Sequence, residues 1–469
     1  MVWTSPSHGE GRGFDPHREY FDFQFSCVHS PYFYYLYRHD FLTWEKSLIF
    51  MLVRKFVGQR LAEYYSQPAH LVVGSAPAPI PFQRLWGSWH WKRIYGRLYR
   101  DNLGQWLTPV ELFQPYFSNT IANFVSRVVQ RENAQSAAVS TEEIDIVELG
   151  GGRGTNARLV LDHLEKAYPD IYNQVQYTII DSSPTLIELQ KKNLSASNHM
   201  KKIHFEEKDL ANVAEGNVSL LPKASDRLTI VLALELFDNL PHDKIQKTLG
   251  SKIEQAEIIF PLSDPVVEGT RDPHVVDLPQ EIFVPLSDPL LEHILEMAPT
   301  TATRGPSWLP TIACGLLEKL AQERCQSHLL VADFDWLPPP DNLKPNSRHR
   351  LSTWAQGEPL VTSMDDFDHS CYLSAPPYCD ILFPTNFKFI ASFAKQIWRS
   401  TASKSSRREV RVEKQADFLQ RFGPEQVNAT KSWLTGYTPL VDDFVNCSVL
   451  TVTSDDAQVA SDKVSNGSR

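Results

Sequence analysis

IDIVELGGGRGT, residues 144–155, is the stretch on which the reading of this chain turns. Ile144, Ile146, Val147 and Leu149 make a short apolar run rich in β-branched residues, the composition of a strand buried on both faces of a parallel sheet. It runs into Glu148-Leu149-Gly150-Gly151-Gly152-Arg153-Gly154, an E-x-G-x-G-x-G pattern, and a helical pattern starts at once. Glycines at alternating positions let the backbone turn sharply off the strand and let a ligand lie against bare main chain. Ala157, Val160, Leu161, Leu164 and Tyr168 then follow at the spacing of one buried helix face. Strand, glycine turn and helix together open a nucleotide-type α/β unit.

Which nucleoside the turn suits is a question of charge. Dinucleotide enzymes space their glycines G-x-G-x-x-G, because the helix N-terminus must receive a pyrophosphate. Here the third glycine falls one residue early, and Glu148 stands two residues before the first. A carboxylate at the mouth of the strand repels a pyrophosphate and suits a ligand that carries an ammonium group. S-adenosylmethionine has an ammonium, a sulfonium and no phosphate. The methyl donor is therefore the better fit, with a dinucleotide and a purely structural glycine turn as the alternatives.

Further acids fall where such a ligand would want them. QYTIID, Gln176 to Asp181, reads as the second strand and ends in Asp181, placed to accept hydrogen bonds from ribose hydroxyls. Gly154 to Asp181 is 27 residues, so the first helix or its loop is enlarged over the usual spacing. Ser183 then caps a helix that has Pro184 at its first position. KIHFEEKDL, from Lys202, supplies a third strand followed by Asp209, a candidate for the adenine amino group. LTIVLALELFDNLP, Leu228 to Pro241, is a fourth strand that breaks into Glu235 and Asp238. In a doubly wound α/β sheet these strand ends converge on the ligand-binding edge.

Composition bounds the rest. The 469 residues suggest one core with insertions, or two domains, and 42% hydrophobic and 11% aromatic content is ample for a packed globule. No apolar run approaches the roughly 18–20 residues of a membrane span. The six cysteines form no C-x-x-C pair and no ligand-like grouping with His, so they read as reduced intracellular thiols and no metal site is expected. A net charge of −10, from 46 basic and 56 acidic residues, argues against a general polyanion binder, so nucleic acid is not the expected partner.

Outward from the core, residues 1–30 carry Glu10, Asp15, Glu19 and Asp22 and lack the Arg/Ser-rich, acid-poor character of a mitochondrial presequence. They are expected to be a flexible extension. Residues 31–140 are expected to form a helical region packed on the core. Within it Trp44, Leu48, Leu52 and Phe56 recur at spacing four, which predicts a helix. That helix either covers the core or, aided by Lys46, Arg54, Lys55 and Arg60, lies in a membrane interface. Residues 75–81 read as a stiff Pro-rich linker. In 84–100, Arg84, Lys92, Arg93, Arg97 and Arg100 interleave with Trp86, Trp89, Trp91, Tyr95 and Tyr99. This is either a helix with core rings and wet charges, or a surface for single-stranded nucleic acid. Thr108 and Pro109 open a helix whose apolar face continues through Ile121, Phe124 and Val125.

Residues 141–450 are expected to hold the ligand-binding core, with a β-rich insertion at about 250–310. His242 to Leu249 is expected as a short helix. IFPLSDP at 259–265 returns as IFVPLSDP at 282–289, each copy a strand ending in a capped turn, the second leading into a helix to Met297. A helix at 312–324 precedes the strand His328–Phe334, which closes with Asp333 and Asp335. Residues 338–350 and 399–410 read as surface loops, and the polar end from 454 to 469 as a disordered tail.

The motifs as a set resemble the MidA-like S-adenosylmethionine-dependent methyltransferases. ELGGGRGT, IIDSSPTLIELQKKNL and LELFDNLP carry the likeness, supported by TPVELFQPYF, VADFDW, YCDILFPTNF and KQADFLQRFG, over roughly residues 105–450. The resemblance implies a class I methyltransferase, Rossmann-like and doubly wound, with S-adenosyl-L-methionine as cofactor. It implies that Glu148, Gly150, Gly152 and Gly154 hold the methionine moiety, Asp181 the ribose and Asp209 the adenine. The animal member of that family is a respiratory complex I assembly factor that methylates an arginine of a core subunit. The implied activity is thus a protein arginine methyltransferase acting on a respiratory complex subunit, in the mitochondrion, with the cytoplasm as the alternative location.

For a guanidinium acceptor, Glu235 and Asp238 are the expected clamp, with Glu111 as a third carboxylate. The competing reading has Glu235 hold the donor ammonium and Asp238 cap a helix at Pro241. Three departures from the family pattern bear on this. Gly151 replaces a proline in the turn, Leu234 replaces an asparagine, and Asn386 replaces an aspartate. The first is a mild change; Leu234 and Asn386 keep open a non-catalytic donor-binding assembly factor, and residues 84–100 a nucleic-acid methyltransferase.

Overall fold

The strand read at 144–149 stands near the middle of a seven-stranded sheet in the computed structural model. The structure describes residues 49–76, 79–102, 105–135, 143–221, 227–248, 250–260, 279–298, 305–337, 358–363, 368–369, 371–376, 378–401 and 408–454. The expectations for residues 1–30, for Trp44 and Leu48, for the loop at 338–350 and for the tail beyond Ser454 lie outside these residues. So do residues 402–407 of the loop expected at 399–410, and the turn of the first IFPLSDP copy.

In chain order the strands are β1 (Ile49–Leu52), β2 (Ile144–Leu149), β3 (Val175–Asp181), β4 (Ile203–Glu207), β5 (Leu228–Leu234), β6 (Asp243–Lys247), β7 (Ile253–Phe260), β8 (Gln280–Pro285) and β9 (Gly305–Leu309). Next come β10 (His328–Phe334), β11 (Leu360–Ser363), β12 (Asp368–His369), β13 (Cys379–Leu382), β14 (Arg408–Lys414) and β15 (Cys447–Ser454). The main sheet runs β14-β15-β10-β5-β2-β3-β4. β4, β3, β2, β5 and β10 run parallel to one another, and β15 is antiparallel to both β10 and β14. The chain moves outward from β2 through β3 to β4, then crosses back to β5. The strand order therefore reverses between β2 and β5, and open α/β sheets bind ligands beyond the carboxyl ends at such a point.

Side chains alternate across this sheet. Ile144 and Ile146 of β2, with Leu228, Ile230 and Leu232 of β5, join one core; Val147, Leu149, Val231 and Ala233 join the other. The first core is closed by α5 (Tyr116–Gln135), α6 (Thr155–Ala167) and α13 (Gln415–Phe422). The second is closed by α9 (Leu210–Ala214), α10 (Pro289–Met297), α11 (Thr311–Glu323) and α12 (Phe387–Thr401). Both faces are covered, so β5 and β10 are buried at every residue, as the inner strands of a parallel sheet must be.

The long spacing from Gly154 to Asp181 is taken up by an extra helix, α7 (Pro169–Gln174). Ser183 caps α8 (Pro184–Leu194), its hydroxyl accepting from the amide of Leu186. Asp288 caps α10 in the same way, through Leu291.

A second sheet runs β1-β7-β6-β9, with β8 also on β7, and a small third sheet runs β12-β11-β13. Here the structure corrects three local readings. The helix expected through Leu48 and Leu52 begins only at Val53: α1 spans Val53–Tyr65, and Phe50 to Leu52 pair with β7. Period four over four positions could not tell a helix from a strand followed by a helix. Residues 243–247, expected as a helix, form β6, hydrogen-bonded between β7 and β9. The helix opened by Thr108 is only α4 (Pro109–Leu112), although Thr108 does cap it; α5 starts afresh after Pro115.

α1 is also not a membrane helix. Val53, Phe56, Val57 and Leu61 are buried in a core shared with the second and third sheets. Arg54, at 5% exposure, is ion-paired with Asp243 at 2.9 Å and Asp288 at 2.8 Å. The remaining labelled helices are α2 (Ala69–Val72) and α3 (Ser88–Asp101). In α3, Trp91 and Leu98 face inward.

Candidate active site

A cleft of about 2600 Å³ opens where the carboxyl ends of β2, β3 and β5 face α1 and the second sheet. Its lining residues include nine carboxylic acids against three Lys or Arg. Those three are already engaged. Arg54 pairs with Asp243 and Asp288, Lys55 pairs with Glu215 at 2.5 Å, and Arg153 donates to the carbonyl of Val73 at 2.9 Å.

The glycine turn floors the cleft. Gly150, Gly152 and Gly154 have φ of +71°, +52° and +77°, the left-handed region that glycine enters without steric cost. A Cβ at Gly152 would meet nothing within 4 Å, so the backbone is bare toward the cleft at this residue. Gly151 is different. A Cβ there would lie 2.4 Å from Cγ2 of Ile179, so any side chain, the proline of the family pattern included, would require Ile179 to move.

Glu148, at 2% exposure, accepts from Asn156 Nδ2 at 2.9 Å and from the Tyr177 hydroxyl at 2.9 Å. Burial raises its carboxyl to about 7 despite both bonds, with Asp181 adding to the rise. Asp181 accepts from the Ser183 amide at 3.0 Å and from Gln190 Nε2 at 2.9 Å, and burial raises it to about 6. Gln190 also donates to the carbonyl of Gly152 at 3.2 Å, tying the glycine turn to the end of β3. Glu148 and Asp181 line the same cleft. Asp209 lies on its rim, exposed, with its oxygens taken by the amide of Ala211 and by Asn212 Nδ2, as the cap of α9.

Beyond β5 the acids crowd. Glu235 sits at φ +49°, a conformation non-glycine residues seldom adopt, and its amide donates to the carbonyl of Ala332 at 2.8 Å. Its carboxyl is pushed well above the usual range by burial, then by Asp333 and Glu111. Asp238 is 2% exposed, its Oδ1 has no hydrogen-bond partner among the described residues, and burial raises it strongly, followed by Asp333, Glu235 and Asp380. Asp238 caps no helix at Pro241, because β6 follows; instead it lies in a 3-10 turn, Phe237–Asn239. Glu111 is buried at 4% exposure, accepts from Gln114 Nε2 at 3.0 Å, and is raised by burial while Thr155 and Arg153 pull it back. The fold thus brings Glu235, Asp238 and Glu111 onto one cleft with the glycine turn.

Sequence reasoning missed the acids behind this wall. Asp333 Oδ2 accepts from the amide of Asp238 at 3.0 Å, and Asp380 Oδ1 accepts from Asn239 Nδ2 at 2.8 Å. Burial raises each to about 7. Asp333 carried a signal, an acid closing a buried strand, but Asp380 carried none. Tyr65, in the last turn of α1, was also missed. It lines the cleft, and its hydroxyl is raised by burial, then by Asp380, Tyr64, Asp238 and Asp181. Asn386, in contrast, is exposed and accepts from the amide of Phe389 at 3.1 Å, capping α12. An asparagine does that as well as the aspartate it replaces. Among the described residues no group of three or more His, Cys, Asp or Glu has metal-holding geometry.

A family model described as "Putative S-adenosyl-L-methionine-dependent methyltransferase" matches residues 120–403. Among solved structures, a Burkholderia thailandensis superfamily member bound to S-adenosyl-homocysteine is similar at 15% identity and a TM-score of 0.56, over 86% of this chain and 88% of that one. A second protein from the same organism, solved in its native form, aligns at 15% identity and a TM-score of 0.46, over 85% and 93% of the two chains. None of the curated proteins matches the chain in sequence. The first likeness shows a shared fold, the class I methyltransferase sheet.

Proposed function

The chain belongs to the S-adenosyl-L-methionine-dependent methyltransferase family whose model spans residues 120–403, and from that premise we propose that it methylates a protein arginine. One observation carries the choice of acceptor: Glu235, Asp238 and Glu111 line the cleft while every lysine and arginine that lines it has another partner. Carboxyls held above their usual range by one another and by burial are relieved by a cation of fixed shape. A guanidinium offers that cation and a planar set of donors.

The residues present fit the donor. The bare backbone at Gly152 leaves room, and Glu148 and Asp181 supply anionic partners for an ammonium and for ribose hydroxyls. In this reading Gly150, Gly152, Gly154 and Glu148 hold the methionine moiety, Asp181 the ribose, and Asp209 reaches the adenine from its capping position. When bound, S-adenosyl-L-methionine supplies an electrophilic methyl on a sulfonium. Glu235 and Asp238 accept paired N–H donors from the guanidinium and direct one nitrogen at that methyl. Methylation of that nitrogen, with the bonding electrons left on the donor's sulfur, would release one guanidinium proton, which Glu235 or Asp238 would take up. Asp333 and Asp380 are positioning residues, each holding one stretch of the 3-10 turn.

The motif resemblance supports a respiratory complex I subunit as the acceptor during assembly, and the mitochondrion as the location. The alternative is a donor-binding assembly factor without turnover. It draws on Leu234, which lines the cleft with an apolar side chain where the family pattern has an amide.

The test joins calorimetry with S-adenosyl-L-methionine to mass spectrometry of arginine-containing acceptors. Glu235→Gln and Asp238→Asn should each leave donor affinity nearly unchanged and slow transfer by about 10²-fold or more. Donor binding with no methylated product would favour the assembly factor, and unchanged transfer in both variants would sink the clamp.

A further inference from the structure

Three indoles and a leucine, none of which lines the cleft, are widely exposed. Trp86 is 70% exposed, Trp89 64%, Trp433 76% and Leu434 75%. Two loops bring them together. The amide of Trp433 donates to the carbonyl of Gln83 at 3.0 Å, and the Ser432 hydroxyl donates to the carbonyl of Leu85 at 2.6 Å. A Cβ at Gly87 would stand 3.6 Å from Thr435, so the loops touch on both sides of Trp86. These contacts hold the loop that carries Trp433 and Leu434 against the turn that carries Trp86, which leads directly into α3 and Trp89. An exposed apolar cluster of this size marks an interaction surface.

Its charge says what it meets. Arg84, Lys92, Arg93, Arg97 and Arg100 are all exposed on or beside α3. Trp89, Arg93, Arg97 and Arg100 share one stripe of that helix, opposite the inward-facing Trp91 and Leu98. The whole chain carries −10, so this basic face runs against its overall sign. It is complementary to an anionic partner within a Debye length of about 8–10 Å. Between the anionic partners, shape decides. Bases stack on open aromatic faces, but the Arg93 guanidinium stands 6.0 Å from the centre of the Trp89 ring, over its face. Leu434 has no π face to offer at all. Indoles at the level of lipid headgroups, an aliphatic tip reaching into the acyl boundary, and flanking arginines are the pattern of an interfacial anchor.

We propose that the face formed by α3 and the 432–436 loop docks this protein on the surface of an anionic membrane. The test uses the full chain at low ionic strength with two vesicle preparations, phosphatidylcholine alone and phosphatidylcholine mixed with phosphatidylglycerol. The chain should float with the mixed vesicles only, with a blue shift of its tryptophan emission, and should be released by salt. Trp433→Ser with Leu434→Ser should lower partition by roughly tenfold or more. Arg93→Glu with Arg97→Glu should do at least the same, at about fivefold per basic residue lost. Affinity for S-adenosyl-L-methionine should not change in either double variant, which shows that both fold. Failure to float with the mixed vesicles, or parent-like flotation of both variants, overturns the proposal. So does capture of a single-stranded oligonucleotide without vesicle binding, or self-association that the Trp433 variant abolishes.

Discussion

Glu148 sits beneath the glycine turn with Asn156 and Tyr177 on its two oxygens, and burial lifts its carboxyl from 4.5 to about 7. A raised carboxyl holds a proton in the folded chain that the unfolded chain releases, so its contribution to stability is lost as pH climbs from about 4.5 to 7. Glu148→Gln should therefore lose less thermal stability than the parent over that window, measured on the ligand-free chain; parallel curves would refute the raised value. Glu148, Asp181, Glu235 and Asp238 were all legible from the sequence, because each follows or ends a strand-like run at a place such sheets use for ligands. Asp380 was not, because its burial comes from Asn239 and the turn around it, neither of which is near it in sequence.

At the level of elements, the legible parts were those with their own caps and periodicity. Ser183 capping α8, Asp288 capping α10 and the apolar stripe of α6 are local signals that the fold keeps. The second sheet was hidden. β1 and β6 are short, and only pairing with β7, and for β6 also with β9, makes strands of them. Arg54 shows the same dependence from the side-chain end. As a sequence feature it was one basic residue on an apolar helix. In the fold it joins α1 to β6 through Asp243, to the start of α10 through Asp288, and to the end of α9 through Glu215. Arg54→Ala strands buried acids without their cation and should cost about 3–5 kcal/mol, read as a lower midpoint in urea. Arg54→Lys should not restore it, because a single ammonium cannot serve three carboxylates in a fixed fork.

For the molecule as a whole, the cleft is bounded by parts of the chain far apart in sequence, from α1 through the glycine turn to α10. A ligand that fills it binds only the folded chain. At a hundredfold excess over Kd, S-adenosyl-L-methionine should stabilise the protein by about 2.7 kcal/mol, seen as a rise in Tm. Gly152→Leu should abolish that rise, because a side chain there projects into open cleft space. Its cost to the ligand-free fold should stay near 1–2 kcal/mol, from a leucine at positive φ. A full shift in the variant would remove the donor from this cleft. The sequence by itself marked the first four strands of the main sheet, the glycine turn and the acids at the strand ends, since periodicity, turn chemistry and strand termination are properties of neighbouring residues. Tertiary structure alone decided that β1 and β6 are strands, that Arg54 is buried, that Asp333 and Asp380 back the cleft wall, and that the loop of Trp433 packs on the turn at Gln83 to Gly87. Those outcomes depend on burial and on partners brought from elsewhere in the chain, and no local pattern encodes which partner arrives.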